Sequence, residues 1–420
     1  MNKTNNTRIL PELRFPEFMD AEEWDEKKLN EVCKINPSIS KLPEFFVYID
    51  LESVEAGVLL QKKIIALESA PSRAQRLLKA SDIIYQTVRP YQKNNYFFQK
   101  KEDIEYVAST GYAQLRAFES KMYLFQYLHN DLFVSKVLAK CTGSNYPAIN
   151  SSDLSEISIE IPKPDEQQKI ADFLSSLDEL ITAQNQKLEA LQAHKKGLLQ
   201  NLFPADGETL PLLRFKEFED DGDWKIYTIG DKANLLSGFP FKSSEISEDS
   251  KGTPLLRGIN ITEGTIRHSQ DIDRFFLGEI NDLKKYILQI NDLVIGMDGS
   301  KVGKNSALIT EEDSGSLLIQ RVARLRAKNK ETIKFIFHHI NSTKFHSYVD
   351  RINTSSGIPH ISAKQINDFE IYFPENPKEQ QKIADCLTSI DELITTQNLK
   401  LETLKKHKKG LMQQLFPNTI

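Results

Sequence analysis

A 39-residue segment occurs twice in this chain, and any fold must accommodate both copies. Residues 166–204 read EQQKIADFLSSLDELITAQNQKLEALQAHKKGLLQNLFP, and residues 379–417 read EQQKIADCLTSIDELITTQNLKLETLKKHKKGLMQQLFP; they align without a gap at an offset of 213, with 29 of 39 positions identical. Each copy carries apolar residues at alternating spacings of four and three, the seam of a coiled coil. In the first copy the seam runs Ile170, Leu174, Leu177, Ile181, Gln184, Leu188, Leu191, Lys195, Leu198, Leu202. The second repeats it as Ile383, Leu387, Ile390, Ile394, Gln397, Leu401, Leu404 and Lys408. Prolines precede each segment and Leu-Phe-Pro closes it, which predicts two long helices of roughly 55 Å at ~1.5 Å per residue. Asn376 is a candidate cap for the second, with Glu379 at the capping-box position. Neither stripe can remain in water, and the simplest arrangement pairs the helices with each other. The repeat order makes that pairing antiparallel about a pseudo-twofold axis.

Two further repeats flank the helices. LPELRFPEF (10–18) matches LPLLRFKEF (210–218), with Trp24 matching Trp224 at the same offset of 200. Before each helix, Pro147, Ile149, Leu154, Ile157, Ile159, Ile161 and Pro162 match Pro359, Ile361, Ile366, Phe369, Ile371, Phe373 and Pro374. The stretches between, roughly 25–140 and 225–355, share little. The chain therefore divides into a first variable domain (1–165), a fixed helix (166–204), a second variable domain (205–378) and a second fixed helix (379–420). Ends that stayed alike around middles that diverged suggest one partner bound twice and two different things recognised. Gln184 and Gln397 lie near the helix centres, where a polar seam residue either fixes register or is merely tolerated. Gly197 and Gly410 sit inside the last turns at a cost of about 1 kcal/mol each against alanine. They reflect either close backbone approach, including that of a partner subunit, or inheritance by duplication. His194-Lys195-Lys196 and His407-Lys408-Lys409 suit a helix C-terminus electrostatically.

Composition narrows the class. The chain has 420 residues with 40% hydrophobic and 27% charged content, ordinary for two or three globular domains. No apolar run reaches the ~18–20 residues of a membrane span, and MNKTNNTRILPELRF lacks the core of a signal peptide, so a cytoplasmic address is expected. Cys33, Cys141 and Cys386 are scattered, without metal-ligand spacing, and read as buried or half-buried thiols. The net charge of −5 argues against coating nucleic acid through bulk charge, but not against local basic patches.

Such a patch is visible in the first variable domain. Residues 62–101 hold Lys62, Lys63, Arg73, Arg76, Lys79, Arg89, Lys93, Lys100 and Lys101 against only Glu68 and Asp82, a local charge of +7 interleaved with Tyr85, Tyr91, Tyr96, Phe97 and Phe98. The pattern suits phosphate clamping, with arginines available for bidentate contact to guanine edges. The competing reading is a solvated basic face over a strand core. In the second domain Arg257, Lys301, Lys304, Arg321, Arg324 and Arg326 are the analogous candidates, with Gly299 and Gly303 allowing close backbone approach to phosphate. The stretch is no nucleotide loop: three residues instead of four separate the glycines, and Asn305 stands where Ser or Thr is required. No methyltransferase tetrapeptide, zinc cluster or nuclease carboxylate motif is visible. No catalytic or metal-binding residue is assigned, and the chain is expected to bind and position while another subunit reacts.

The P-x-EQQKIAD-x-L start and KKGL-x-x-x-LFP end, twice in one chain, resemble the specificity subunits of type I restriction–modification enzymes. LRFPEF-x(5)-W and LRFKEF-x(5)-W, together with SDIIYQTVRPY (81–91), NDLVIGMDGSKVGK (291–304), GFPFKSSEI (238–246) and PLLRGINI (254–261), extend the resemblance over essentially the whole chain. It implies two globular α/β (α+β) target-recognition domains joined by an antiparallel two-helix coiled coil. It also implies double-stranded DNA as ligand, each domain reading one half of an asymmetric bipartite site. Two modification subunits would carry S-adenosylmethionine and methylate adenine, flipping the base to do so. Restriction subunits would translocate with ATP and magnesium and cut. The chain itself needs no cofactor under this reading. A coiled-coil scaffold with two protein-binding domains is the alternative, favoured by the net acidity and disfavoured by the 62–101 segment.

Overall fold

A computed structural model describes residues 9–39, 41–143, 145–353 and 359–417. Residues 1–8 and 418–420, the outer limits of the expected domains and part of the leader-like stretch considered above, lie outside the described residues. The chain divides into two compact units, Met1–Asn185 with Leu399–Ile420 and Gln186–Asn398. Each unit thus contains one end of each long helix. The helices run from Pro164 to Asn201 and from Pro377 to Leu415. Each begins at the last proline, whose missing N–H costs nothing there; the first stops just before Leu-Phe-Pro and the second at its leucine.

The first unit contains two four-stranded sheets. One has the order Lys63–Ala66, Phe45–Ile49, Tyr106–Ser109, Ala74–Leu77, and the other Cys33–Ile35, Tyr112–Ala117, Ile83–Gln86, Tyr96–Phe97. A two-stranded pair sets Asp25 opposite Ile161, tying the domain-opening segment to the strand that leads into the helix. The second unit repeats one sheet in full and three strands of the other, whose fourth strand lies on the opposite edge. Its sheets have the orders Ala233–Ser237, Val322–Ala327, Leu293–Gly296, Ser306–Leu308 and Ile246–Ser247, Arg274–Phe276, Thr253–Leu256, Leu317–Leu318. There Lys225 lies opposite Phe373. Most neighbours are antiparallel, with one parallel pair in each unit. The fold is therefore a mixed α and β architecture built twice, as the duplicated ends required.

Within each unit the helix ends pack in opposite directions. In the first, Ile170 and Leu174 share a core with Met412, Leu415 and Phe416, while further along the first helix Asp178 meets Lys408 at 2.6 Å. In the second, Ile383 and Leu387 share a core with Leu202 and Phe203, and Asp391 meets Lys195 at 2.5 Å. Every seam position expected from the heptads is buried or half-buried. Burying each Leu or Ile contributes about 1.5–3 kcal/mol, so the seam outweighs its polar exceptions. The seam lysines are not exceptions of tolerance, since each is half-buried against the aspartate of the opposite helix. The terminal phenylalanines anchor each helix in a globular core: Phe416 lies 5.2 Å from the ring of Tyr127, and Phe203 lies 5.4 Å from Phe335.

The repeated LRF and EQQ motifs meet. Arg14 binds Glu166 through Nε at 2.8 Å and Nη2 at 2.7 Å. Arg214 binds Glu379 through Nε at 2.7 Å and Nη2 at 2.8 Å. Both carboxylates are buried in a first helical turn, where the helix dipole also favours them. Gln167 and Gln380 donate back to the carbonyls of Pro162 and Pro374, fixing the entry angle. Asn376 does cap its helix, accepting from the Lys378 N–H at 3.0 Å. Glu379, at the capping-box position, binds Arg214 and also accepts from Trp224 Nε1 at 3.3 Å.

Candidate nucleic-acid interface

The fold changes the meaning of the basic segment 62–101. Lys62 pairs with Glu102, Lys63 with Asp50 at 3.2 Å, and Lys100 with Glu105 at 2.6 Å. Lys93 pairs with Asp131 and also donates to the His129 carbonyl at 2.8 Å. Four of the nine cations are therefore neutralised by acids just outside the segment or far along the chain. The count of +7 overstated the available charge for that reason. Arg76 is half-buried on the strand Ala74–Leu77, with its Nε buried and without a partner among the described residues. Burial lowers its pKa. Arg73, Lys79 and Lys101 are exposed and carry no ion pair among the described residues. Arg89 lies over the ring of Tyr146, 4.3 Å from its centroid.

In the second unit, Arg257 is half-buried and donates to the Ile272 carbonyl at 3.2 Å. Lys301 pairs with Glu263 at 2.9 Å and Lys304 with Asp350 at 3.0 Å. Arg324 departs from expectation: it is only 7% exposed on the strand Val322–Ala327. Its Nη1 donates to the Lys285 carbonyl at 3.2 Å, and burial lowers its pKa. It is therefore not an exposed cation of the kind its place in the sequence suggested. Its neighbour Arg326 clamps buried Asp292 through Nε at 2.7 Å and Nη2 at 2.6 Å, and this pairing raises its pKa. The same clamp holds the first unit, where Arg116 grips Asp82 with two 2.7 Å bonds. The aspartate of each D-hydrophobic motif is thus a structural acceptor. Arg321 is exposed and pairs with Asp298 at 3.1 Å, while Asp298 also accepts from His360 Nδ1 at 2.8 Å.

Tyr146, Asp298 and His360 were not singled out from the sequence. They lie far along the chain from the arginines they contact or adjoin, and no local spacing marks them. Gly197 and Gly410 have open space where a Cβ would stand: beyond the adjoining residues and the helix's own backbone, no atom among the described residues lies within 4 Å. Close approach within this chain does not account for them. Cys33 is buried, which pushes its thiol up to about 12, and Cys141 and Cys386 are half-buried. Among the described residues no cluster of metal-binding side chains is present, and no helix is long and apolar enough to cross a membrane.

Two units of one plan, each with its own set of exposed cations and both clasped to a shared pair of long helices, define a duplicated recognition scaffold. Residues 21–193 and 205–406 match the type I restriction modification DNA specificity domain, and the chain belongs to that family. The MjaVIII specificity subunit of Methanocaldococcus jannaschii is 28% identical over 310 residues, covering 71% of this chain and 70% of that protein. The EcoAI specificity subunit of Escherichia coli is 35% identical over 197 residues, 46% of this chain and 32% of that one. The crystal structure of the type I restriction–modification S subunit from M. genitalium has a similar fold, with a TM-score of 0.60 at 15% identity, covering 98% of this chain and 100% of the other.

Proposed function

We propose that this chain is the non-catalytic specificity subunit of a type I restriction–modification enzyme, in which each unit reads one half of an asymmetric bipartite DNA site. The two helices set the unspecific gap and, with the units, dock two modification subunits. Those subunits supply S-adenosylmethionine and methylate adenine, and restriction subunits supply ATP- and magnesium-dependent translocation and cleavage. The observation that carries this reading is the division of labour within the duplication. The clasp, the seam and the strands leading into the helices are the same in both units, while the exposed cations differ in position and partner. One kind of partner is then bound twice, and two different half-sites are read. Methylome sequencing of a methylation-free host expressing the chain with its modification subunits tests the reading. A bipartite, asymmetric motif with one modified adenine in each half is expected, and a continuous or palindromic motif contradicts it.

A further inference from the structure

The strands Ile83–Gln86 and Leu293–Gly296 leave their sheets through loops that share one backbone frame. The Arg89 N–H donates to the Pro147 carbonyl at 2.7 Å, and the Gly299 N–H to Pro359 at 3.2 Å. The Thr87 N–H donates to Gly111 at 3.0 Å, and the Met297 N–H to Arg321 at 2.9 Å. Val88 bridges to Ala148 as Asp298 bridges to His360. Position by position, Arg89 therefore equals Gly299, Lys93 equals Gly303, and Gly111 equals Arg321.

These equivalences pair arginine or lysine with glycine three times, in opposite senses. Arg89 and Lys93 have φ of 54° and 55°, where the second unit has Gly299 and Gly303 at 96° and 69°. Arg321 has φ of 69°, whereas its counterpart Gly111 is not left-handed. Left-handed backbone disfavours any residue with a Cβ, and such strain concentrates at functional sites. The backbone did not select these arginines. Lys93 is tied down by Asp131 and the His129 carbonyl, whereas Arg89 is half-buried and Arg321 is exposed. The Arg89 guanidinium lies over the ring of Tyr146, itself 62% exposed. Arg321, with 75% of its side chain exposed, is held at one edge by Asp298, which His360 steadies from the crossing strand. Each unit thus places one oriented guanidinium at the same crossing, from a different side of it.

We propose that this crossing is the base-reading point of each unit, with Arg89 and Arg321 each presenting a guanidinium edge to the major-groove face of a guanine. Tyr146, Asp298 and His360 are positioning residues. The inference rests on the DNA-specificity reading above and adds the place and chemistry of recognition.

The test is the methylome of the full chain co-expressed with its modification subunits. Arg89→Gly substitutes the residue that the other unit uses at the equivalent position, also at positive φ. It should leave Tm unlowered while one guanine position in one half-site becomes degenerate, with discrimination falling roughly tenfold or more. Arg321→Gly should do the same in the other half-site only. Tyr146→Phe should preserve the motif, whereas Tyr146→Ala should loosen the position that Arg89→Gly loosens. An unchanged motif in both arginine variants overturns the proposal. So does an even loss of methylation with the motif intact, which marks a phosphate contact. A wild-type chain that yields no bipartite motif instead overturns the specificity reading on which the proposal stands.

Discussion

The two units keep the same clasp and one sheet of the same strand order, yet they distribute charge and buried histidine differently. Arg14–Glu166 and Arg214–Glu379 match almost atom for atom, as do Arg116–Asp82 and Arg326–Asp292. By contrast, Arg89 stacks on a tyrosine in one unit, and Arg321 leans on an aspartate in the other. Buried pairs hold the frame and resist change, because removing one partner strands a charge away from water. Exposed cations on loops carry no such penalty and are free to diverge.

The largest effect that sharpens this comparison lies in the clasp. Arg14→Met or Arg214→Met leaves a buried carboxylate unpaired, a change that typically costs about 3–5 kcal/mol. Trp24 and Trp224 are the only tryptophans, one in each unit, so Trp24→Phe and Trp224→Phe backgrounds report each unit separately in denaturant titrations. Each arginine variant should destabilise its own unit by a similar amount, and adding Glu166→Met or Glu379→Met should recover much of the loss. A clasp that could be cut without cost would break the equivalence.

A smaller, asymmetric effect is expected in acid. Burial lowers His338 and His339 of the second unit to about 3, and His129 of the first to about 4. An unfolded imidazole titrates near 6.5, so it takes up a proton that the buried ring refuses. Stability present at neutral pH is therefore lost as pH falls from 6.5 towards these lower values. By pH 5 the loss is about 2 kcal/mol for each of these three histidines; in the second unit His346, also lowered by burial, adds to it, and His268, raised by Asp313 and Asp273, opposes it. Trp224 should report unfolding at a higher pH than Trp24; simultaneous transitions, or the reverse order, would contradict the assignment.

How much of this was legible in the sequence follows from the range of each interaction. The seam could be read because a heptad is a local pattern, and all of its positions are buried or half-buried. The seam lysines looked like blemishes, because Asp178 and Asp391 lie on the other helix of each pair. LRF and EQQ were visible as repeats, but their contact spans 152 residues in one unit and 165 in the other. Nothing local announces it. Charge counting along residues 62–101 failed in part because Asp50, Glu102, Glu105 and Asp131 fold back onto it. Arg324 misled because a basic residue on a strand gives no sign of which face it occupies until the register is known. The reading crossing was hidden most completely, since it joins three separated segments and shows itself only in shared hydrogen bonds and left-handed backbone.

The central claim is that the frame and the readers are separable, and lengthening the frame alone tests it most directly. A heptad that continues the seam would be inserted after Asn185 and after Asn398, where each helix passes from one unit to the other. Seven residues add about 10 Å of helix, roughly three base pairs of duplex. The account predicts a methylated motif with both half-sites unchanged and the gap longer by about that amount. Altered half-sites, or an unaltered gap in a chain that still methylates, would contradict it.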